Sequence, residues 1–119
     1  PSNEETEVGP MILPREVQRI DEWVQQSHAK HLACGGKILS PTCYAPTILI
    51  EPGENSLVSQ QEIFGPVICL YSYQQLSEAI TKANQLPFCF QASLFTQRIE
   101  EMLISIHQLK ARTVLINDH

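Results

Sequence analysis

Val67-Ile68-Cys69-Leu70-Tyr71-Ser72-Tyr73 is nearly continuously apolar at its start, as strands covered on both faces are. This stretch is therefore read as the central strand of a sheet. Leu76, Ala79, Ile80 and Ala83 then recur at helical spacing until Pro87 stops the pattern. Ala92-Ser93-Leu94-Phe95 reads as the next strand. Behind it, Thr96 is placed as the N-cap of a helix whose buried face is Ile99, Met102, Leu103 and Ile106. Thr113-Val114-Leu115-Ile116 is the last strand. Strand, helix, strand, helix, strand implies right-handed crossovers and parallel pairing. The expected class is α/β, a mostly parallel sheet with crossover helices.

Upstream of that frame, Val17, Ile20 and Val24 recur every three or four residues, which predicts a helix from Pro14 to His31 with one apolar stripe. Pro14 suits its first turn, where a missing N–H leaves no bond unmade. Gly35-Gly36 breaks the pattern, and Lys37-Ile38-Leu39 is short enough for an edge strand or an extended connection, followed by a loop through Pro41. Thr47-Ile48-Leu49-Ile50, β-branched and apolar between Pro46 and Pro52, predicts a short strand, with a loop from Gly53 to Ser56 behind it.

Composition narrows the function classes. The chain has 119 residues, 43% of them hydrophobic and 18% charged, which suits one small folding unit or one segment of a larger domain. A net charge of -5 with scattered Lys and Arg argues against a nucleic-acid partner, which needs clustered positive charge. No apolar run approaches the roughly 20 residues that cross a bilayer, so no membrane partner is expected. The polar, acidic stretch from Pro1 to Glu7 is unlike a signal peptide, and the expected location is cytoplasmic. The four cysteines, Cys34, Cys43, Cys69 and Cys89, have irregular spacing and are read as reduced thiols. None is directly flanked by His or Lys, so none is assigned as a nucleophile. His28, His31 and Cys34 are spaced by threes but lack a fourth ligand, and no metal site is assigned.

Glu62-Ile63-Phe64-Gly65-Pro66-Val67 is the most informative hexapeptide. A carboxylate at the lip of a strand can accept hydrogen bonds from both hydroxyls of a ribose, and a neighbouring aromatic ring offers a flat apolar wall to a nicotinamide. By itself the hexapeptide fits equally well a solvated loop carboxylate followed by a core phenylalanine. Its surroundings add to it. Gly9-Pro10-Met11-Ile12, Gly35-Gly36 and Ala45-Pro46-Thr47-Ile48-Leu49 precede it. Glu78-Ala79-Ile80 with Ala83-Asn84, then Phe90-Gln91-Ala92-Ser93-Leu94-Phe95-Thr96 and Thr113-Val114-Leu115-Ile116-Asn117, follow it. In this order the landmarks resemble the NAD(P)-dependent aldehyde dehydrogenase superfamily over nearly the whole chain from Gly9 onward.

The resemblance implies an oxidoreductase that uses NAD or NADP and takes a small-molecule aldehyde to its carboxylic acid through a cysteine thiohemiacetal and thioester. Within it, Glu62 matches the glutamate that holds the nicotinamide ribose, and Phe64 matches the aromatic residue beside the nicotinamide ring. Gln91 and Asp118 look most like the branch acting on small hydroxy- or phosphono-aldehydes. Three positions depart from the family pattern. Gln61 replaces a second acidic residue, and Cys89 and Arg112 stand where glycines are common, so positive φ there would impose strain.

The contexts that carry the family's nucleophile, general base and oxyanion asparagine do not occur in this sequence. Residues 1–119 are therefore expected to be a partial catalytic, thiol-bearing domain, the C-terminal part, lacking the nucleophile region and the dinucleotide-binding domain, and inactive alone. The chain's start just before Gly9-Pro10 and its end just after Asn117 favour a fragment whose partner is the remainder of its own polypeptide, a homo-oligomer when full length. The rival expectation is a short non-catalytic relative serving as an assembly or interaction module. A fragment that folds alone is expected to expose apolar patches on its sheet and to self-associate.

Overall fold

The computed structural model describes residues 5–86 and 89–118. The chain divides into two compact units, Pro1–Ser72 and Tyr73–His119.

In the first unit, α1 (Pro14–Gln25) buries the expected stripe of Val17, Ile20 and Val24. The helix stops six residues before His31. Ser27 is buried with its N–H on the Val24 carbonyl, His28 takes a φ of +49°, and the Lys30 N–H reaches the Glu51 carbonyl. From there the chain runs as a strand, β1 (His31–Cys34), antiparallel to β4 (Thr47–Ile50). Tertiary pairing thus overrides the helical spacing of the sequence. The shared helix face that could have joined His28, His31 and Cys34 does not exist, and no three His, Cys, Asp or Glu among the described residues are grouped to hold a metal ion.

The extended piece after the glycines is β2 (Ile38–Ser40), which pairs antiparallel with β3 (Cys43–Tyr44). Gly35 and Gly36 both have positive φ, and a side chain at Gly35 would stand 2.2 Å from the Pro46 carbonyl oxygen. The Gly36 N–H donates to the Thr47 hydroxyl at 2.9 Å, which donates to the Ala45 carbonyl at 2.7 Å, so the turn is tied to the start of β4. A single turn, α2 (Leu57–Gln60), follows β4, and β5 (Val67–Leu70) then pairs parallel with β4, Thr47 opposite Val67 and Ile50 opposite Leu70.

The order of this sheet is β1-β4-β5, which corrects the expectation that Val67–Tyr73 is the central strand. β4 is in the middle, and β5 ends at Leu70 with Ile68 and Leu70 exposed. Apolar continuity in β5 therefore does not mean cover on both faces. The core is formed by Val17, Ile20 and Val24 against Tyr44, Leu49 and Val58, with Trp23, Ile63, Val67 and Cys69 packed at its margin.

In the second unit, α3 (Leu76–Ala83) buries Ile80, and the Glu78 carboxylate accepts from the N–H groups of Gln74 and Gln75 at its start. Pro87, the expected stop, lies outside the described residues. β6 (Gln91–Leu94) and β7 (Thr113–Ile116) pair parallel, Gln91 opposite Thr113 and Leu94 opposite Ile116, as the alternating pattern predicts. Between them runs α4 (Ile99–Gln108), and Asn84 closes its far end by donating to the Gln108 carbonyl and accepting from the Lys110 N–H.

Two expectations for α4 need correction. Thr96 is not its N-cap. Arg98 holds that position, while the Thr96 hydroxyl accepts from the Arg98 N–H and donates to Glu101. The stripe turned inward carries Ser105, fully buried, with Met102 half-buried; Ile99, Leu103 and Ile106 are exposed. The period of the pattern is right and its inward side is not, because an apolar stripe goes inside only where something covers it.

Candidate functional site

The loop between α2 and β5 contains both residues singled out as site residues, Glu62 and Phe64. Between them, Ile63 points the other way and packs against the core. Its carbonyl accepts from Arg19 Nη2 at 2.7 Å. Gly65 follows, and a Cβ built on it would lie 2.2 Å from Ile20 Cδ1. Close approach to the core helix, rather than a left-handed turn, is what requires glycine here. The Val67 N–H returns to the Gly65 carbonyl at 2.8 Å, and the Thr47 N–H takes the Pro66 carbonyl at 2.8 Å, which fastens the end of the loop to β4.

Glu62 is exposed at the mouth of this loop. Phe64 is 76% exposed and does not pack into the core of this unit. Its φ is +45°, in the left-handed region. For a bulky L-residue that conformation costs on the order of 1–3 kcal/mol and persists only where the surroundings impose it. The described non-glycine residues that share positive φ are His28, Glu51 and Asn117. Cys89 and Arg112 are not among them, so the departures at those two positions carry no such strain. Instead the Arg112 N–H bonds the Cys89 carbonyl at 3.0 Å, just ahead of the β6–β7 ladder.

Arg19 is fixed on three sides. Its Nε donates to Glu16 at 2.8 Å, its Nη2 to Ile63, and its guanidinium lies 4.5 Å from the centroid of Trp23. The Arg19 hydrogen bond holds the Glu16 carboxyl below the usual carboxylate range. None of this was anticipated from the sequence, although Glu16 and Arg19 at helical i, i+3 spacing were a visible signal.

Elsewhere the chemistry-bearing residues stay apart. The four cysteines are unlinked thiols. Burial raises the pKa of Cys69, the reverse of what a nucleophile needs. Gln91 opens β6 and Asp118 follows β7; because the strands are parallel, the two stand at opposite ends of that ladder. An open depression beyond the ends of β4 and β5 is bordered by Lys30, His31, Glu51, Tyr71 and Ser72. There the Glu51 carboxylate accepts from both the N–H and the hydroxyl of Ser72, an arrangement that closes the strand end. No helix among the described residues is long and apolar enough to cross a membrane.

The aldehyde dehydrogenase family pattern matches residues 1–119, the full length of the sequence. The chain belongs to the aldehyde dehydrogenase family. It is 32% identical to the 3-sulfolactaldehyde dehydrogenase of Priestia aryabhattai over 99% of its own length and 25% of that protein. It is 36% identical to a probable NADP(+) succinate-semialdehyde dehydrogenase of Synechocystis, over 98% of its length and 27% of the relative. Among solved structures, aldehyde dehydrogenase 21 from Physcomitrella patens, in complex with its product succinate, superposes with a TM-score of 0.92 at 29% identity. That match covers 98% of this chain and 24% of the moss protein. The chain thus spans about a quarter of the length of the curated relatives it matches. The α/β elements described above are those of a segment of the family fold.

Proposed function

We propose that residues 1–119 are the C-terminal part of the thiol-bearing catalytic domain of an NAD(P)-dependent aldehyde dehydrogenase, and that the loop Glu62 to Val67 is one wall of its nicotinamide site. The observation that carries this reading is Phe64, a bulky aromatic held at φ +45° with its ring exposed, next to an exposed carboxylate. Strained backbone of this kind gathers where a side chain must be presented rather than packed.

The residues fit the dinucleotide. Glu62 can accept from the two ribose hydroxyls, and the Phe64 ring offers its face to a flat aromatic and keeps water from that side. When bound, NAD or NADP supplies the hydride acceptor. Glu62 and Phe64 orient it and touch no proton of the reaction. The thiolate that forms the thiohemiacetal and thioester, the glutamate that activates water and the oxyanion donor belong to the remainder of the polypeptide, so the segment alone does not oxidise an aldehyde. The full-length substrate is a small aldehyde, in keeping with the relatives named for 3-sulfolactaldehyde and succinate semialdehyde.

The test begins with the intact mass of the protein expressed from its complete gene and an assay of aldehyde-dependent NAD(P) reduction. A polypeptide several times longer with activity is expected. In it, Glu62→Gln is expected to raise the dinucleotide KM about tenfold, the scale of a lost charge-assisted hydrogen bond. A native product of this size without activity, or an active enzyme indifferent to both Glu62→Gln and Phe64→Ala, overturns the assignment.

A further inference from the structure

The left-handed φ of Phe64 needs a cause. The peptide joining Ile63 to Phe64 carries the Ile63 carbonyl at one end and the Phe64 N–H at the other, so the direction of that carbonyl sets the plane about which the φ of Phe64 turns. The carbonyl is held at 2.7 Å by Arg19, a residue 44 positions away in sequence on α1, the helix whose buried stripe forms the core. The side chain of Ile63 is held separately by the core. Both halves of the pivot between Glu62 and Phe64 are thus anchored to one rigid body.

The anchor is itself immobilised. A guanidinium can bond a carboxylate with one nitrogen and a carbonyl with another while its plane rests against an indole, which an ammonium cannot do in one geometry. Arg19 makes all three contacts, to Glu16, Ile63 and Trp23. Its side chain is 28% exposed, so the bond to the loop is partly shielded from competing water.

We propose that Arg19 is a positioning residue for the dinucleotide site, holding the Ile63 carbonyl so that Phe64 and Glu62 stand outward, with Glu16 and Trp23 fixing its guanidinium for that task. The inference rests on the reading of this loop as a nicotinamide wall. Arg19 touches neither cofactor nor substrate; it acts through one peptide plane.

The experiment uses the full-length protein with four variants, Arg19→Met, Arg19→Lys, Glu16→Gln and Glu62→Gln, and with Gln18→Ala, on the exposed side of α1, as control. Two readouts are taken. One is calorimetric titration with NAD and NADP. The other is amide exchange, in the dinucleotide-free protein, of Val67 and Thr47, whose N–H groups bond the Gly65 and Pro66 carbonyls at the end of the loop.

Arg19→Met is expected to weaken dinucleotide binding about tenfold and to speed exchange at Val67 and Thr47, while exchange in α1 stays at the wild-type rate. Arg19→Lys is expected to recover less than half of the loss on a logarithmic scale, and Glu16→Gln to weaken binding about threefold. A purely structural role would instead lower protection throughout the unit. Wild-type affinity in Arg19→Met alongside weakened Glu62→Gln overturns the clamp and leaves the site standing. Wild-type affinity in both overturns the site and the clamp together. Should Arg19→Met not fold, wild-type affinity in Arg19→Lys and Glu16→Gln overturns the clamp on their evidence.

Discussion

In the unit Pro1–Ser72, α1 turns Val17, Ile20 and Val24 onto Tyr44, Leu49 and Val58, and the six side chains close on one another. In the unit Tyr73–His119, α4 is the more apolar helix but turns Met102 and Ser105 inward, leaving Ile99, Leu103 and Ile106 in solvent. Both helices form, and both have the right period. What differs is cover. A helix needs only local propensity and a place to lay one face, whereas a core needs enough surrounding surface to exclude water from that face. The second unit has its elements without that surface. On the proposal that residues 1–119 are one segment of a longer enzyme, that cover is the rest of the polypeptide.

The largest effect that could break this contrast is a pair of truncations. Leu49, 1% exposed in the middle strand, is expected to cost about 2–5 kcal/mol on Leu49→Ala. Leu103, 54% exposed, is expected to cost within about 0.5 kcal/mol on Leu103→Ala in the 119-residue chain. In the full-length protein the second value should rise to about 2 kcal/mol or more, because the leucine is then covered. Urea unfolding of both lengths measures all four numbers. Equal costs at Leu103 in the two lengths would show that α4 is naturally a solvent helix. The exposed faces also predict that the isolated chain self-associates in sedimentation, and a monomer that binds no hydrophobic dye would contradict it.

Close packing in the first unit sets the next effect. Gly65→Ala drives a Cβ into Ile20 Cδ1 and is expected to destabilise by about 1–3 kcal/mol. Adding Ile20→Val removes the colliding methyl, so the double variant should be more stable than the sum of its parts. Additivity would mean that the loop, not the core, gives way.

Tyr44 sharpens the comparison through pH. Burial first, and the Asp21 carboxylate that accepts its hydroxyl at 3.0 Å second, hold this phenol protonated well above the ordinary tyrosine range. The unfolded chain releases that proton from about pH 10 while the folded chain keeps it. Above pH 10 the unfolded state therefore binds fewer protons, and stability falls as pH rises, by at most about 1.4 kcal/mol per unit for one proton. Tyr44→Phe should flatten that alkaline slope in chemical unfolding from pH 9 to 11. An unchanged slope would assign it to other groups.

Much of this molecule was legible in its residues because local chemistry decided it. Val17, Ile20 and Val24 marked a buried stripe, Gly35-Gly36 marked a turn no other residue fits, and Thr113–Ile116 marked its strand to the residue. The failures share one cause. The end of α1, the outer place of β5 and the inward side of α4 all depend on what packs across from them, which no local period encodes. At the candidate site, Glu62 and Phe64 were read from a resemblance in the hexapeptide. The Arg19 contact was not, since a hydrogen bond to a carbonyl 44 residues away leaves no pattern in sequence.

Ser105 gives the smallest effect and the most direct view of the second unit. It is fully buried, and its hydroxyl has no hydrogen-bond partner among the described residues. A buried hydroxyl left unpaired costs about 1–3 kcal/mol of desolvation, and serine is a weaker helix former than alanine by a few tenths. Ser105→Ala removes both penalties and loses one small atom of packing, so a net gain of about 1 kcal/mol or less is expected in the 119-residue chain. Thermal unfolding of the variant beside wild type measures it. A gain of that size in the isolated chain that disappears in the full-length protein would mean that the hydroxyl finds an acceptor in the remaining polypeptide, making the inward side of α4 a true interface. The same gain in both lengths would mean that Ser105 is a buried defect of the unit itself, and that α4 is packed in its final register without any further cover.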